Sequence, residues 1–195
     1  MRLFIALDLD DIIRARITRF IEGVTGFAPD ARWMKPESLH LTLKFIGEQP
    51  ESAVVKVHQA LADIRSAALE IHFQGYGFFP TAKSPRVFWL GVHAGHALPA
   101  LATAIDEKTA SLGIPKEDRA FTPHLTLARA QGASSSPRRM KTDAPNRNFH
   151  HLQEKLAARP TPEFGTITAR EFFLFQSHLS PKGSRYTKLA SFDLK

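Results

Sequence analysis

The chain has 195 residues, 43% of them hydrophobic, which is enough for one packed domain of ordinary size. Lys and Arg number 26 against 19 Asp and Glu, a formal net charge of +7, and a surface of that sign favours polyanionic partners such as RNA or DNA. Cysteine is absent, so disulfides, thiolate metal sites and a cysteine nucleophile are excluded.

The N-terminal MRLFIALDLDD reaches two acids after a short apolar run, without the longer apolar region and small-residue cleavage site of a secretory signal. No uninterrupted apolar run approaches the roughly 20 residues of a membrane span. The expectation is a soluble, cytoplasmic protein that does not use a membrane. Arg2 to Leu9 alternates, with Leu3, Ile5, Leu7 and Leu9 on one side, and predicts a strand. Asp10 or Asp11 then caps a helix whose apolar residues Ile12, Ile13, Ile17, Phe20, Ile21 and Val24 recur at helical spacing up to Gly26. Leu39 to Ile46 reads as a strand closed by Gly47, and Pro50 opens a second helix with Val54, Val57, Leu61 and Ile64 on one stripe.

Two strands follow, Leu69 to Phe79 and Arg86 to Val92, with Pro80 and Pro85 in their connection. A third helix runs from about Leu98 to Leu112 and stops at Gly113. A strand over Pro123 to Ala130 leads into a polar segment at about 131–148, rich in Ser, Pro and Arg, which reads as a surface loop. A short helix near Phe149 to Ala158, a strand from Gly165 to Gln176 and a last strand from Arg185 to Leu194 complete the chain. The order is βαβαββα followed by βαββ, an α+β pattern that fits an internal duplication into two similar lobes.

The tetrapeptide HLTL occurs twice, at His40 to Leu43 and at His124 to Leu127. From composition a bare H-x-T is expected roughly 0.6 times by chance and HLTL roughly 0.006 times. Alternation in a strand puts His40 and Thr42 on one face and Leu41 and Leu43 on the other, and the same holds for His124 and Thr126. Two imidazoles facing across a cleft suit a reaction that needs a base on one side and an acid on the other, because an unperturbed pKa of about 6.5 allows either form near neutrality. Thr hydroxyls beside them can donate to an oxyanion. Phosphodiester hydrolysis matches this set. A metal is not expected, since neither motif carries Asp, Glu or Cys and no H-E-x-x-H occurs. A serine hydrolase lacks its G-x-S-x-G turn.

With RLFIAL, RWMKPESLHLTLKFIGE, QGYGFFP, PRVFWLGV, FTPHLTLAR and SHLSPKGSRYTKL in that order, from Arg2 to Leu189, the sequence resembles the two-histidine phosphoesterase superfamily. The likeness is to its RNA 2′,3′-cyclic phosphodiesterases, once named 2′-5′ RNA ligases. The resemblance implies one bilobal α+β domain over 1–195, with two pseudo-symmetric lobes of antiparallel-rich sheets, helices packed outside and a central cleft. It implies no cofactor and no metal, with His40 as proton donor and His124 as proton acceptor, assisted by Thr42 and Thr126. The implied partner is RNA ending in a 2′,3′-cyclic phosphate, or a small cyclic nucleotide, opened to a 2′-phosphomonoester by a monomer.

Arg129 and Tyr186 match family residues near the cleft and are candidate substrate contacts. Strict alternation puts Arg129 on the face opposite His124, so a bulge or strand end is needed to redirect it. Lys44 shares the alternation face of His40 and Thr42 and is a third candidate. His93, His96, His150, His151 and His178 have no motif around them and read as surface or loop residues. Two alternatives remain: a reversible, ATP-independent 2′-5′ RNA ligase using the same chemistry backward, and a non-catalytic protein that binds RNA ends.

Overall fold

A computed structural model describes residues 1–132, 147–180 and 183–195. The polar loop expected at 131–148 falls almost wholly outside the described residues. Nine strands and four helices are described: β1 (Arg2–Leu7), α1 (Asp11–Val24), β2 (Arg32–Trp33), β3 (Leu41–Glu48), α2 (Ala53–Ala62), β4 (Leu69–Phe79), β5 (Val87–His93), α3 (Ala97–Ala110), β6 (His124–Arg129), α4 (His150–Ala157), β7 (Glu163–Ala169), β8 (Glu171–His178) and β9 (Arg185–Asp193). Among the described residues no helix is long and apolar enough to cross a membrane.

The strands form two antiparallel sheets, ordered β3-β1-β8-β9 and β2-β6-β5-β4-β7. The fold is α+β, as expected, with one HLTL strand in each sheet. The sheets are not the two halves of the chain. Passing over β2 and β7, the unit β-α-β-α-β occurs as β1-α1-β3-α2-β4 and again as β5-α3-β6-α4-β8, and each unit gives its last strand to the other unit's sheet. The first helices cross as well: α1 packs on β7 of the second sheet and α3 on β3 of the first. Interleaving of this kind holds the two lobes in one fixed relation.

Local chemistry sets most boundaries. The Asp10 carboxylate accepts a hydrogen bond from the Ile13 N–H at 2.7 Å and starts α1, whose Ile13, Ile17, Ile21 and Val24 are buried. Gly113 takes φ +81° just beyond α3, a left-handed conformation suited to a helix end. β1 is buried on both faces: Leu3, Ile5 and Leu7 enter the main core, while Phe4 and Ala6 join Phe173 and Phe175 in a smaller cluster beside Tyr186.

Two elements differ from the sequence expectation. The single strand expected from Gly165 to Gln176 is two, β7 and β8, with the chain changing sheets at Arg170, whose carbonyl accepts from Leu194 N at 2.7 Å. The two-residue strand β2 was not expected; it exists because Arg32 and Trp33 pair with the edge of β6.

Candidate active site

Both HLTL strands carry the same irregularity. β3 pairs with β1 through Thr42↔Ala6 and Lys44↔Ile5, leaving Leu43 as an extra residue. β6 pairs with β5 through Thr126↔Trp89 and Ala128↔Phe88, leaving Leu127 as the extra one. A bulge after each Thr reverses the alternation, so the residue five positions beyond each His joins His and Thr on one face. Those residues are Phe45 and Arg129, and both line the cleft. The bulge that Arg129 required is therefore present.

For Lys44 the same bulge corrects the sequence reading. Its side chain is turned out of the cleft into the protein, where it is 1% exposed, and its Nζ lies 2.5 Å from Asp106 Oδ1, 2.7 Å from the Pro115 carbonyl and 3.5 Å from Glu117 Oε1. Lys44 is a buried strut between β3 and α3, and Phe45 takes the cleft position that alternation had given it.

The cleft between the sheets has a volume of about 630 Å³ and brings together His40, Thr42, His124, Thr126, Arg129 and Tyr186. Each imidazole is fixed in the same way. His40 Nδ1 donates to the Ser38 carbonyl at 2.8 Å, and His124 Nδ1 donates to the Thr122 carbonyl at 2.7 Å, in both cases two residues upstream. A carbonyl can only accept, so both neutral rings hold their proton on Nδ1 and turn Nε2 to the cleft. Among the described residues neither Thr hydroxyl has a protein partner.

The aromatic backing differs between lobes. His40 lies against Phe4 and Tyr186, with ring centroids 4.7 and 4.9 Å away, whereas His124 meets Phe79 edge-on at 4.9 Å and Trp89 at 6.4 Å. Beside each Thr, the neighbouring strands carry one large and one small residue in opposite order: Ala6 with Phe173 in the first sheet, Trp89 with Gly77 in the second. A Cβ on Gly77 would stand 2.1 Å from the indole, so only glycine admits Trp89 there.

Burial lowers the pKa of His40 to about 4, against upward pulls from the Ser38 hydrogen bond and the Asp8 carboxylate. Burial also lowers His124, helped by the Arg129 cation and opposed by the Thr122 hydrogen bond. Both rings are thus neutral in the free cleft. Arg129 is itself pushed down by burial and by Arg32, which stands directly across from it. Asp8 is bridged to Arg14 and, at 2.6 Å, to Lys188. Arg14 also donates to the carbonyls of Pro36 at 2.6 Å and Leu39 at 3.2 Å, which pins the segment leading into His40.

Sequence reasoning missed Phe45, Arg2, Arg32, Lys35 and Ser38. With Arg129 the cations line one cleft that, among the described residues, contains no carboxylate. The only available signal was the R-W-M-K run ahead of the first motif. Paired His-x-Thr strands over such a cationic cleft define a phosphoesterase of the two-histidine class.

Comparison with known proteins agrees. The model of the family described as LigT like Phosphoesterase matches residues 7–89 and 92–186. The RNA 2′,3′-cyclic phosphodiesterase of Archaeoglobus fulgidus is 33% identical over 193 residues, covering 99% of this chain and all of that protein, and the protein of the same name from Thermus thermophilus is 34% identical over 207 residues, covering 100% and 91%. The crystal structure of Escherichia coli LigT complexed with 3′-AMP superposes with a TM-score of 0.73 at 27% identity, over 99% of this chain and 97% of that one. The chain belongs to the LigT-like phosphoesterase family.

Proposed function

We propose that this enzyme hydrolyses the 2′,3′-cyclic phosphate at the end of an RNA to a 2′-phosphomonoester, using its two imidazoles and no metal. The observation that carries this reading is the matched pair of histidines, each locked through Nδ1 with Nε2 facing a cationic cleft free of carboxylates. The cyclic phosphodiesterase activity for which the relatives are named and the 3′-AMP bound by E. coli LigT support a nucleotide phosphate as the ligand. Two imidazoles are too few protein donors for a usual metal site, and no group of three or more candidate ligands occurs among the described residues.

As the anionic substrate binds, His40 takes up a solvent proton on Nε2; His124 Nε2 then takes a proton from water as its oxygen attacks phosphorus, the bond from phosphorus to the 3′ oxygen breaks, and His40 Nε2 gives that oxygen its proton. Thr42 and Thr126 donate to the non-bridging oxygens, and the Arg129 cation offsets the developing charge. Tyr186 walls the cleft at His40, and the exposed face of Phe45 offers a stacking surface for the terminal base. His40 takes the donor role that the family resemblance gives it; burial holds its ring neutral in the free cleft, and the anionic substrate together with the Asp8 carboxylate pulls it towards the protonated form. Every group comes from one chain, so a monomer suffices.

The test is product analysis with cyclic-ended RNA in excess chelator. A 2′-phosphate product that persists in chelator and is lost in both His40→Ala and His124→Ala is the expected result. A 3′-phosphate product, or activity restored only by metal, overturns the reading.

A further inference from the structure

Arg32 and Arg129 are direct cross-strand partners on β2 and β6, and like charges in that position destabilise a sheet. Among the described residues neither guanidinium forms an ion pair, and Lys35 adds a further cation to the same cleft wall. The pair cannot separate by peeling β2 away. Trp33 Nε1 donates to the Ala28 carbonyl at 3.0 Å, its ring packs edge-on to Phe88, and Met34 N donates to the Leu127 carbonyl at 2.8 Å. Two cations kept opposite each other on a fixed strand pair, with the Arg32 side chain exposed to solvent, make a site for an anion.

Arg129 shares a strand face with His124 and Thr126 and so serves the phosphate that reacts. Arg32 stands one strand farther out, about 4.8 Å across the sheet, on the same wall. A terminal nucleotide with a 2′,3′-cyclic phosphate carries no other phosphate of its own at that end of its ribose. The next phosphate along an RNA is the diester on its 5′ carbon. We propose that Arg32, with Lys35, forms a second phosphate subsite that holds this diester, so that the cleft binds an oligonucleotide end in preference to a mononucleotide. The inference rests on the proposed function, because it takes the first phosphate to be the reacting one.

Calorimetric titration with two dinucleotides that end in a 3′-phosphate tests it. One carries an ordinary phosphodiester linkage and the other an uncharged methylphosphonate. At low salt the wild type should favour the charged linkage tenfold or more, Arg32→Gln should reduce that preference below twofold, and Arg32→Lys should keep part of it. A mononucleotide 3′-phosphate, titrated in parallel, reports whether the variant's cleft is intact.

A preference that survives Arg32→Gln, or no preference in the wild type, overturns the subsite. Turnover of cyclic-ended RNA is measured separately on the wild type. An inactive protein with an Arg32-dependent preference would sink the hydrolysis reading and keep the subsite, and an active one with no preference would do the reverse.

Discussion

Replacing Lys44 with Met separates a structural strut from a substrate contact. The side chain is 1% exposed, its ammonium holds Asp106 and the Pro115 carbonyl, and the change leaves Asp106 at 20% exposure without its cation. Removing one partner of a buried pair costs about 3–5 kcal/mol. Asp106 keeps the backbone N–H of Glu117 at 3.2 Å and part of its hydration, which places the expected loss at the lower end, about 3 kcal/mol. For a chain of this size that is a fall of about 6–12 °C in Tm.

Urea denaturation followed by circular dichroism should therefore show an earlier midpoint with an unchanged slope. Steady-state kinetics on the folded variant should show KM for a cyclic nucleotide within twofold of wild type. The double variant Lys44→Met with Asp106→Leu should recover a substantial part of the loss, because no charge is then stranded. An unchanged midpoint combined with a tenfold rise in KM would refute the reasoning and return the Lys44 ammonium to the cleft.

Gly77→Ala places a methyl 2.1 Å from the Trp89 ring and should cost about 1–3 kcal/mol, with recovery on adding Trp89→Val; equal stability of Gly77→Ala and wild type by thermal melting would contradict the packing. Arg14→Leu frees the carbonyls of Pro36 and Leu39 ahead of His40 and should lower kcat about tenfold, about 1.4 kcal/mol, with little change in KM; an unchanged kcat would show that the segment is held without it. The folded pKa of His40, about 4, lies below its unfolded value of 6.5, so the unfolded chain binds more protons between those limits and stability must fall as pH drops from 6.5 towards 4. The full shift corresponds to at most about 3 kcal/mol, and His40→Gln should flatten that part of the pH–stability curve; an unaltered curve would disprove the low pKa.

The sequence disclosed what depends on near neighbours. Asp10 ahead of a helical stripe, Gly113 beyond another, and His and Thr two apart in a strand all declare themselves within a few residues, and the structure has each in place. What it concealed depends on partners far along the chain. The bulges at Leu43 and Leu127 exist only against the registers of β1 and β5, which is why Lys44 and Phe45 exchanged faces and Arg129 needed a device that no local pattern shows. Likewise no breaker marks Arg170, where an alternating run changes sheets, and Arg32 gains meaning only once β2 has found the edge of β6.

Duplication alone would make a poor catalyst of this kind. Two identical half-sites would accept a phosphate in either direction, and neither histidine would be marked as acid or base. The two lobes repeat the carbonyl-anchored imidazole, the hydroxyl and the bulge, then diverge at the residue the bulge delivers: an aromatic ring in one, a guanidinium in the other. The surroundings diverge in the same sense, with the Asp8 carboxylate acting on His40 and the Arg129 cation on His124. Under the proposed mechanism that asymmetry orients the substrate, placing its base at Phe45, its charge at Arg129 and its leaving oxygen beside the imidazole that has a carboxylate neighbour. Under that mechanism the catalytic parts are the half of the repeat that the two lobes share, and the direction of reaction comes from the half in which they differ.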